Sequence, residues 1–229
     1  DILRRSTVGA LFTNRSVATI GQGSSQTYGL DTTFAFYENL SMIGYVARTE
    51  MPGLVDKNLS YQAQFDYGAD RYGLQVDHLV IEDNFVPDVG FLRRDNFRRT
   101  FLEGRFSPRP ESIDLVRRFS LTGSIDYILM ADTNVLETRL NQVRFDTQFE
   151  SSDQLSFTVN DNYELLLSPF SPAPDVRLPV GGYDFTDVEV AYSIGEHRRV
   201  NGQLSVQRGG YFNGDITAFA FRQGRVSVL

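Results

Sequence analysis

The stretch SYQAQFDYGADRYGLQVDHLV (residues 60–80) decides the fold class, because apolar and polar side chains alternate along it. A period of two is that of a β-strand, and only GADR (68–71) interrupts it, so the stretch is predicted to form a β-hairpin. The pattern leaves open whether protein or lipid covers the apolar face. The apolar positions are Tyr61, Ala63, Phe65, Tyr67, Tyr72, Leu74, Val76 and Val80, against Ser60, Gln62, Gln64, Asp66, Gln75 and Asp77.

The composition of the 229-residue chain narrows its class. A hydrophobic content of 41% is too high for a disordered chain, and the absence of any run of 18 apolar residues excludes a transmembrane helix. The net charge of −7, with Lys57 as the single lysine, argues against a nucleic-acid partner. Because the chain has no cysteine and only two histidines, we expect no disulfide, no metal and no other cofactor.

About thirteen strands are predicted, several of ten or more residues, and only ESIDLVRR (111–118) is a candidate for a short helix. Short and long connections alternate along the chain, and strands that cross a bilayer show this pattern at strand lengths of about 9 to 11 residues. The predicted fold is therefore all-β, an antiparallel up-and-down transmembrane β-barrel of the outer-membrane type. Tight turns are predicted at 38–41, 68–71, 150–154, 195–199 and 222–225, and longer or looser connections at 14–25, 50–58, 82–96, 129–134, 165–182 and 208–214, with 107–114 intermediate but in the short series.

Residues 1–229 are expected to form a single domain that is a partial barrel, because the chain starts in one plausible strand and stops in another, at GRVSVL. The alternative is a soluble sheet with one wet face, which has the same alternation. His78 and Asp161 occupy the apolar phase of their strands. Since charge is disfavoured on a lipid-facing surface, the barrel requires both residues to lie near strand ends.

The most distinctive segment is DNFVPDVGFLRRDNFRRTFLEGRFSPRP (83–110). It resembles the C-terminal β-barrel region of the DUF5916 family, as do RRSTVGALFTNR (4–15), QFDYGADRYGL (64–74), PVGGYDF (179–185) and RRVNGQLSVQRGGYFNGD (198–215). The resemblance implies a bacterial outer-membrane protein that often carries a carbohydrate-binding, family-9-like domain upstream. It implies no catalytic residues.

Charged and polar residues on the polar strand phases are the candidates for a barrel interior. They would either tune the passage of a polar solute or fill the interior with salt bridges. The candidates are Gln64, Asp66, Gln75, Asp77, Arg99, Glu103, Arg105, Ser124 and Asp126.

The segment 82–96 is predicted to be an ordered long loop, either a constriction or plug over the interior or a solvated surface loop. Pro87 and Gly90 set its turns. Its arginines, together with Arg98 and Arg99, are expected to pair with its aspartates. The charged candidates in the loop are Asp83, Asp88, Arg93 and Arg94, with Asp95 as a further acidic partner.

The predicted function is an outer-membrane β-barrel anchor or pore linked to carbohydrate binding or uptake, with the lipid bilayer as its partner. Two alternatives remain at this point. One is an envelope-associated glycoside hydrolase, for which the sequence contains no evident catalytic constellation. The other is a soluble, non-catalytic β-sheet scaffold.

Overall fold

The computed structural model describes residues 5–18, 22–198 and 200–226, and all regular elements in them are β-strands. No described residue belongs to a helix that could span a membrane. Residues 111–115 form bends and turns, so the short helix considered for 111–118 does not form. The strands are β1 (Thr7–Arg15), β2 (Ser25–Phe36), β3 (Leu40–Glu50), β4 (Leu59–Gly68), β5 (Tyr72–Ile81), β6 (Phe97–Phe106), β7 (Val116–Met130), β8 (Leu136–Phe149), β9 (Gln154–Leu166), β10 (Phe170–Ala173), β11 (Val176–Leu178), β12 (Gly181–Ile194), β13 (Val200–Tyr211) and β14 (Gly214–Val226).

Twelve strands form one antiparallel meander sheet, in which every neighbour follows in chain order. Strands β10 and β11 are not part of this sheet, because they pair with each other in the connection between β9 and β12. Strand β9 therefore pairs with β12. The all-β antiparallel meander is therefore confirmed. β1 and β14 are the two ends of the described order, and closure into a barrel stays a prediction.

The connections follow most of the predicted alternation. The opening hairpin is confirmed, with β4 and β5 joined at 69–71, and the turns at 37–39 and 150–153 are short, whereas 51–58, 82–96 and 167–180 are long. The rhythm breaks where the connection 107–115 is longer than 131–135. Residues 1–4 and 227–229, which the sequence placed at interrupted strands, lie outside the described residues, as do 19–21 and Arg199 within two predicted connections.

Two predicted connections near the C-terminal end are wrong. The looser connection expected at 208–214 is a two-residue turn at 212–213, where Phe212 has a φ of 53°. The tight turn expected at 222–225 lies inside β14, whose pairing continues on both sides of it. Between the pairs Gln203↔Arg222 and Asn201↔Arg225, β14 contains one extra residue, so the glycine of RQGR belongs to a bulge instead of a turn.

The chain divides into two compact units. The first comprises Asp1–Ala69, Leu74–Leu102 and Asp126–Glu137, and the second Asp70–Gly73, Glu103–Ile125 and Thr138–Leu229. Few of their described apolar side chains are buried. In the first unit these are Ala18, Met51, Val80, Ile81 and Phe85, and in the second Val116, Leu178 and Ala191.

Most apolar side chains of the first unit instead lie exposed on one face of its strands. The register places them in rows across β2, β3 and β4, because residues that are directly opposite in a ladder share a face. Leu30 and Val46 are 58% and 46% exposed. The rows are Tyr28–Arg48–Leu59, Leu30–Val46–Tyr61, Thr32–Gly44–Ala63, Phe34–Met42–Phe65 and Phe36–Leu40–Tyr67.

The second unit has an equivalent apolar face. Its central row runs across five strands without a polar residue, and Phe219 at its end is 78% exposed. The rows are Thr147–Leu155–Tyr192–Leu204–Phe221, Phe145–Phe157–Val190–Val206–Phe219 and Val143–Val159–Val188–Arg208–Thr217. These rows define the apolar face of each unit, and the opposite side of the same strands is the polar face.

Candidate functional site: the polar face of the sheet

Hydrogen bonds between neighbouring strands cover the polar face of the first unit. The Tyr45 hydroxyl lies 2.9 Å from the Ser60 hydroxyl, and the Gln62 amide donates to Asp77 at 2.8 Å. Asp77 is buried, and the Gln62 amide is a side-chain donor to it. These contacts fix the alternate residues of β4 and β5, including Gln64, Asp66 and Gln75, on this face.

The strongest contact on this face joins two predicted interior residues. Arg99 on β6 donates to both carboxylate oxygens of Asp126 on β7, with Nε–Oδ1 and Nη2–Oδ2 distances of 2.9 and 2.7 Å. The planar guanidinium matches a carboxylate in this two-point geometry. The structure therefore places Arg99 with Asp126, in disagreement with the expected pairing of Arg99 within the 82–96 loop.

The three remaining interior candidates belong to the second unit. Arg105 donates to the Ser107 hydroxyl at 2.7 Å, and that hydroxyl lies 2.8 Å from the Ser120 hydroxyl. Ser120 and Ser124 are four residues apart on β7, and Glu103 and Arg105 are two apart on β6, so each pair shares one face. The candidates thus share the polar face of their strands, and Arg99 and Asp126 form a direct pair among them.

Amide side chains surround one carboxylate on the polar face of the second unit. Asp187, which is 5% exposed, accepts hydrogen bonds from Asn160 at 3.0 Å, Asn162 at 3.1 Å and Gln207 at 2.9 Å. Gln142 extends the row by donating to Asn160 at 2.8 Å. We call Asn160, Asn162, Asp187 and Gln207 the amide row. The sequence alone does not reveal the amide row, because its members come from three strands whose register is not known from the sequence.

An ion pair lies nearer the turn at 150–153, on the polar face of β8. Arg144 on β8 donates from Nε and Nη2 to Asp146 at 2.8 to 2.9 Å, and Gln154 donates to the same carboxylate at 2.9 Å. On the polar face of β8 the basic residue is therefore held by a neighbouring acid.

Five aromatic side chains adjoin the amide row at the opposite end of the strands. Phe212 is at the centre, with ring centroids 4.9 Å from Tyr211, 5.3 Å from Phe185, 5.5 Å from Tyr183 and 5.8 Å from Phe170. Tyr183, Phe185 and Asp187 alternate along β12 and share the polar face. We call these five rings the aromatic ledge. The signal that would have found it is the repeated aromatic content of GGYDF and GGYF beside the long connection 167–180.

His78 and Asp161 have polar partners on the apolar face, whose rows also contain Arg48 and Arg208. His78 Nδ1 lies 2.9 Å from the Thr100 hydroxyl, three residues before the end of β5. Asp161 accepts from Asn141 at 3.0 Å and from Arg139 at 3.3 Å. Asp161 is five residues from the end of β9, on the side of the long connection, so it lies further inside its strand than expected. Its charge is paired with Arg139, which also donates to Asp184 at 3.0 Å.

The 82–96 loop folds over the polar face of the first unit. The buried Thr49 hydroxyl accepts from the Val86 N–H at 3.1 Å and donates to the Asn84 carbonyl at 3.4 Å. Arg15 on β1 donates to the Asp88 carbonyl at 3.5 Å. Because Thr49 and Arg15 are opposite Thr27 and Ser25 in the ladders, both belong to the polar face.

The charged loop candidates pair differently from the prediction. Arg94 forms an ion pair with Glu137 on β8 and also lies over the Phe97 ring at 5.3 Å, so its expected pairing with a loop aspartate is wrong. Pro87 and Gly90 do close a turn, with the Gly90 N–H donating to the Pro87 carbonyl at 2.9 Å. Asp83 and Arg93 are exposed. The contacts of the loop with the polar face lie at the ends of β1 and β3, and the choice between a plug and a surface loop stays a prediction.

One aspartate joins two turns at the opposite end of the second unit. Asp153 accepts from the Gly195 N–H at 2.8 Å, the Tyr192 hydroxyl at 2.8 Å, the Ser151 hydroxyl at 3.0 Å and Arg198 at 2.6 Å. The Gly195 hydrogen bond is the largest cause of a pKa below the usual value for Asp153, and the hydroxyls and the Arg198 charge act in the same direction. Asp70 has a lowered pKa as well, chiefly because Arg109 donates to it at 2.5 Å.

No protein-family model, no curated protein and no solved structure matches this chain. The DUF5916 resemblance therefore stays a prediction, and functional argument rests on the two faces of the sheet.

Proposed function

We propose that this chain forms the wall of a β-barrel in the bacterial outer membrane, with its apolar face against lipid and its polar face toward the interior. The observation that carries the proposal is the series of exposed apolar rows on one face, opposite a hydrogen-bonded polar face. Apolar surface of this extent is unfavourable in water, and monomeric soluble proteins rarely expose it. Lipid is the solvent in which the pattern is stable.

The dimensions of the apolar face support a bilayer. In the first unit its rows run from Tyr28 to Phe36, eight residue steps along β2. At roughly 3.4 Å per residue this is about 27 Å along the strand, and a tilt of about 40° reduces it to about 21 Å. The apolar band of outer-membrane barrels is about 25 Å tall.

A bilayer also imposes closure. Backbone groups in hydrocarbon must all be hydrogen-bonded, so β1 and β14 each require a second neighbouring strand in the membrane-embedded protein. The proposed orientation places the turns at 37–39, 69–71 and 150–153 on the periplasmic side and the long connections outside, as in other barrels.

The proposed role is an anchor or pore linked to carbohydrate binding or uptake. The paired charges Arg99–Asp126 and Arg144–Asp146 cancel much of each other's field on the polar face. A path lined in this way suits a neutral polar solute better than an ion, because ion-selective pores use rings of one sign of charge.

Membrane extraction of the full-length protein tests the proposal. Outer membranes are isolated and washed with carbonate, and the retained protein is run on gels with and without boiling. Retention together with a different migration of the unboiled form is expected for a barrel. Release by the wash without a heat-dependent shift would refute the proposal and support the soluble scaffold.

A further inference from the structure

We infer that the aromatic ledge and the amide row together form a binding site for a neutral oligosaccharide of pyranose units. The inference deepens the proposed function and rests on it. The two groups of residues lie side by side on one face, since Asn162 is directly opposite Phe185 and its amide donates to the Phe185 carbonyl at 3.4 Å.

The ledge supplies apolar contact surface of the kind that stacks on a sugar ring. Phe170 and Tyr211 are 41% and 39% exposed, while Phe212 between them is half-buried. The C–H groups on one face of a pyranose pack on aromatic rings, whose faces carry partial negative charge. The rings therefore support one another and still present surface to a ligand.

The backbone at Phe212 indicates a role beyond filling space. Its φ of 53° lies in the left-handed region, which an aromatic residue rarely adopts and which suits Asn or Gly in a two-residue hairpin turn. Such a conformation is unfavourable for an aromatic residue and is concentrated at functional sites. Here it holds the Phe212 ring against the other four.

The amide row selects for hydroxyl groups and against charge. Amides both donate and accept hydrogen bonds, as sugar hydroxyls do, and the Asp187 carboxylate orients three of them. At this level of the strands the polar face carries Glu164, which accepts from Thr138, and the basic Arg139 lies on the apolar face. The Asp187 and Glu164 carboxylates would repel an anionic ligand.

A quaternary ammonium group is the competing occupant, because aromatic clusters with nearby acids bind such cations. The geometry favours the sugar. A quaternary ammonium group neither donates nor accepts hydrogen bonds, so the amides of Asn160, Asn162 and Gln207 would gain no partner from it, whereas sugar hydroxyls supply both donors and acceptors.

The absence of tryptophan from the chain permits a specific fluorescence test. Phe170→Trp introduces one fluorophore at the ledge, and Phe219→Trp places the matched control on the apolar face. Detergent-solubilised full-length protein is used after it has passed the heat-shift test, and any tryptophans outside the 229 residues are replaced first. It is titrated with maltohexaose, cellohexaose, xylohexaose and chitohexaose, with trigalacturonic acid as the anionic probe and choline as the cationic probe.

A saturable change of the Phe170→Trp signal with at least one neutral hexasaccharide is expected, without a change in Phe219→Trp. In calorimetric titration with that sugar, Phe212→Asn should weaken binding at least tenfold. Because Asn suits the positive φ, its thermal midpoint should stay within a few degrees. Asp187→Asn should also weaken binding, and Phe145→Ala on the apolar face should not.

Three outcomes would overturn the site. They are no response to any neutral hexasaccharide, a response to choline or trigalacturonic acid alone, and unchanged sugar affinity in folded Phe212→Asn. All three are scored on protein that is already shown to be a membrane barrel, so failure here leaves the proposed barrel intact, and failure of the heat-shift test is a separate result.

Discussion

Arg99 and Asp126 form a two-point ion pair across β6 and β7, with Nε–Oδ1 and Nη2–Oδ2 distances of 2.9 and 2.7 Å. Their side chains are 36% and 23% exposed, so the pair is neither fully solvated nor fully buried. Charge-assisted hydrogen bonds contribute more than neutral ones, and solvent reduces the contribution. The contact ties two long strands together on the face that we assign to the barrel interior.

Asp126→Asn should lower the free energy of unfolding by about 1 kcal/mol, because one carboxylate oxygen and its charge are lost opposite Arg99. Urea unfolding of the detergent-solubilised protein measures it. Glu50→Gln is the matched control, since Glu50 faces Arg48 at 3.9 Å with both side chains more than half exposed. Equal effects of the two substitutions would contradict the assignment.

The contribution of Asp153 to stability should depend on pH, because its carboxylate accepts the hydrogen bonds that join two turns. A carboxylate whose pKa is lowered by folding contributes stability above its unfolded pKa, near 3.8, and loses that contribution as the pH falls through the folded value. Asp153→Asn should therefore lower the thermal midpoint at pH 7, and the difference from the unaltered protein should shrink below about pH 3.8.

Thermal unfolding at pH 7 and at the lowest pH that keeps the protein folded measures this difference. Glu38→Gln, in the exposed turn between β2 and β3, is the control and should have a small effect at both values. An Asp153→Asn difference of the same size at both pH values would mean that Asp153 does not act through its carboxylate charge.

The contact between the 82–96 loop and the polar face depends on Thr49. Thr49→Val removes the acceptor of the Val86 N–H and should cost about 1 to 3 kcal/mol of local stability, because that donor is left unsatisfied. The exposed Arg93 and Arg94 should then be cut faster by trypsin. Thr33→Val, on the same face of β2, is the control. Identical cleavage rates for the two variants would show that Thr49 does not hold the loop.

An arginine should be tolerated on the polar face of β4 and not on its apolar face. Ala63 lies in the middle row of the apolar face of the first unit, and Gln64 is its neighbour on the polar face. Arginine at mid-bilayer on a lipid face costs about 2 to 4 kcal/mol. Ala63→Arg should therefore reduce the fraction of heat-shifted, folded protein in outer membranes, and Gln64→Arg should leave it unchanged. Equal assembly of both variants would contradict lipid contact at Ala63.

Strand identity could be predicted because it depends on local alternation, as the hairpin of β4 and β5 illustrates. Cross-strand partners could not, because they depend on register between segments far apart in the chain. Asp161 was expected to need a strand end, and instead Arg139 and Asn141 on β8 supply its contacts. Arg94 pairs with Glu137 for the same reason, although aspartates lie nearer in sequence.

The connections predicted at 208–214 and 222–225 are wrong because glycine occurs in turns, bulges and tight hairpins alike. Asn213-Gly214 is a strong hairpin signal and identifies the turn itself, but not its two-residue length. The aromatic ledge was missed because the repeated aromatic segments GGYDF and GGYF do not by themselves show that their rings meet. Only the register, which places Asn162 opposite Phe185, brings the rings to the amide row.

The most direct test of the account compares two adjacent residues on opposite faces of β6. Phe101 shares its face with Arg99, whose guanidinium lies 5.4 Å from the ring, and Leu102 is 41% exposed on the other face. Leu102→Trp and Phe101→Trp are each made as the single tryptophan and reconstituted into bilayers of brominated phosphatidylcholine. Strong quenching of the first and weak quenching of the second are predicted. Equal quenching, or quenching of Phe101→Trp alone, would contradict lipid contact on the apolar face.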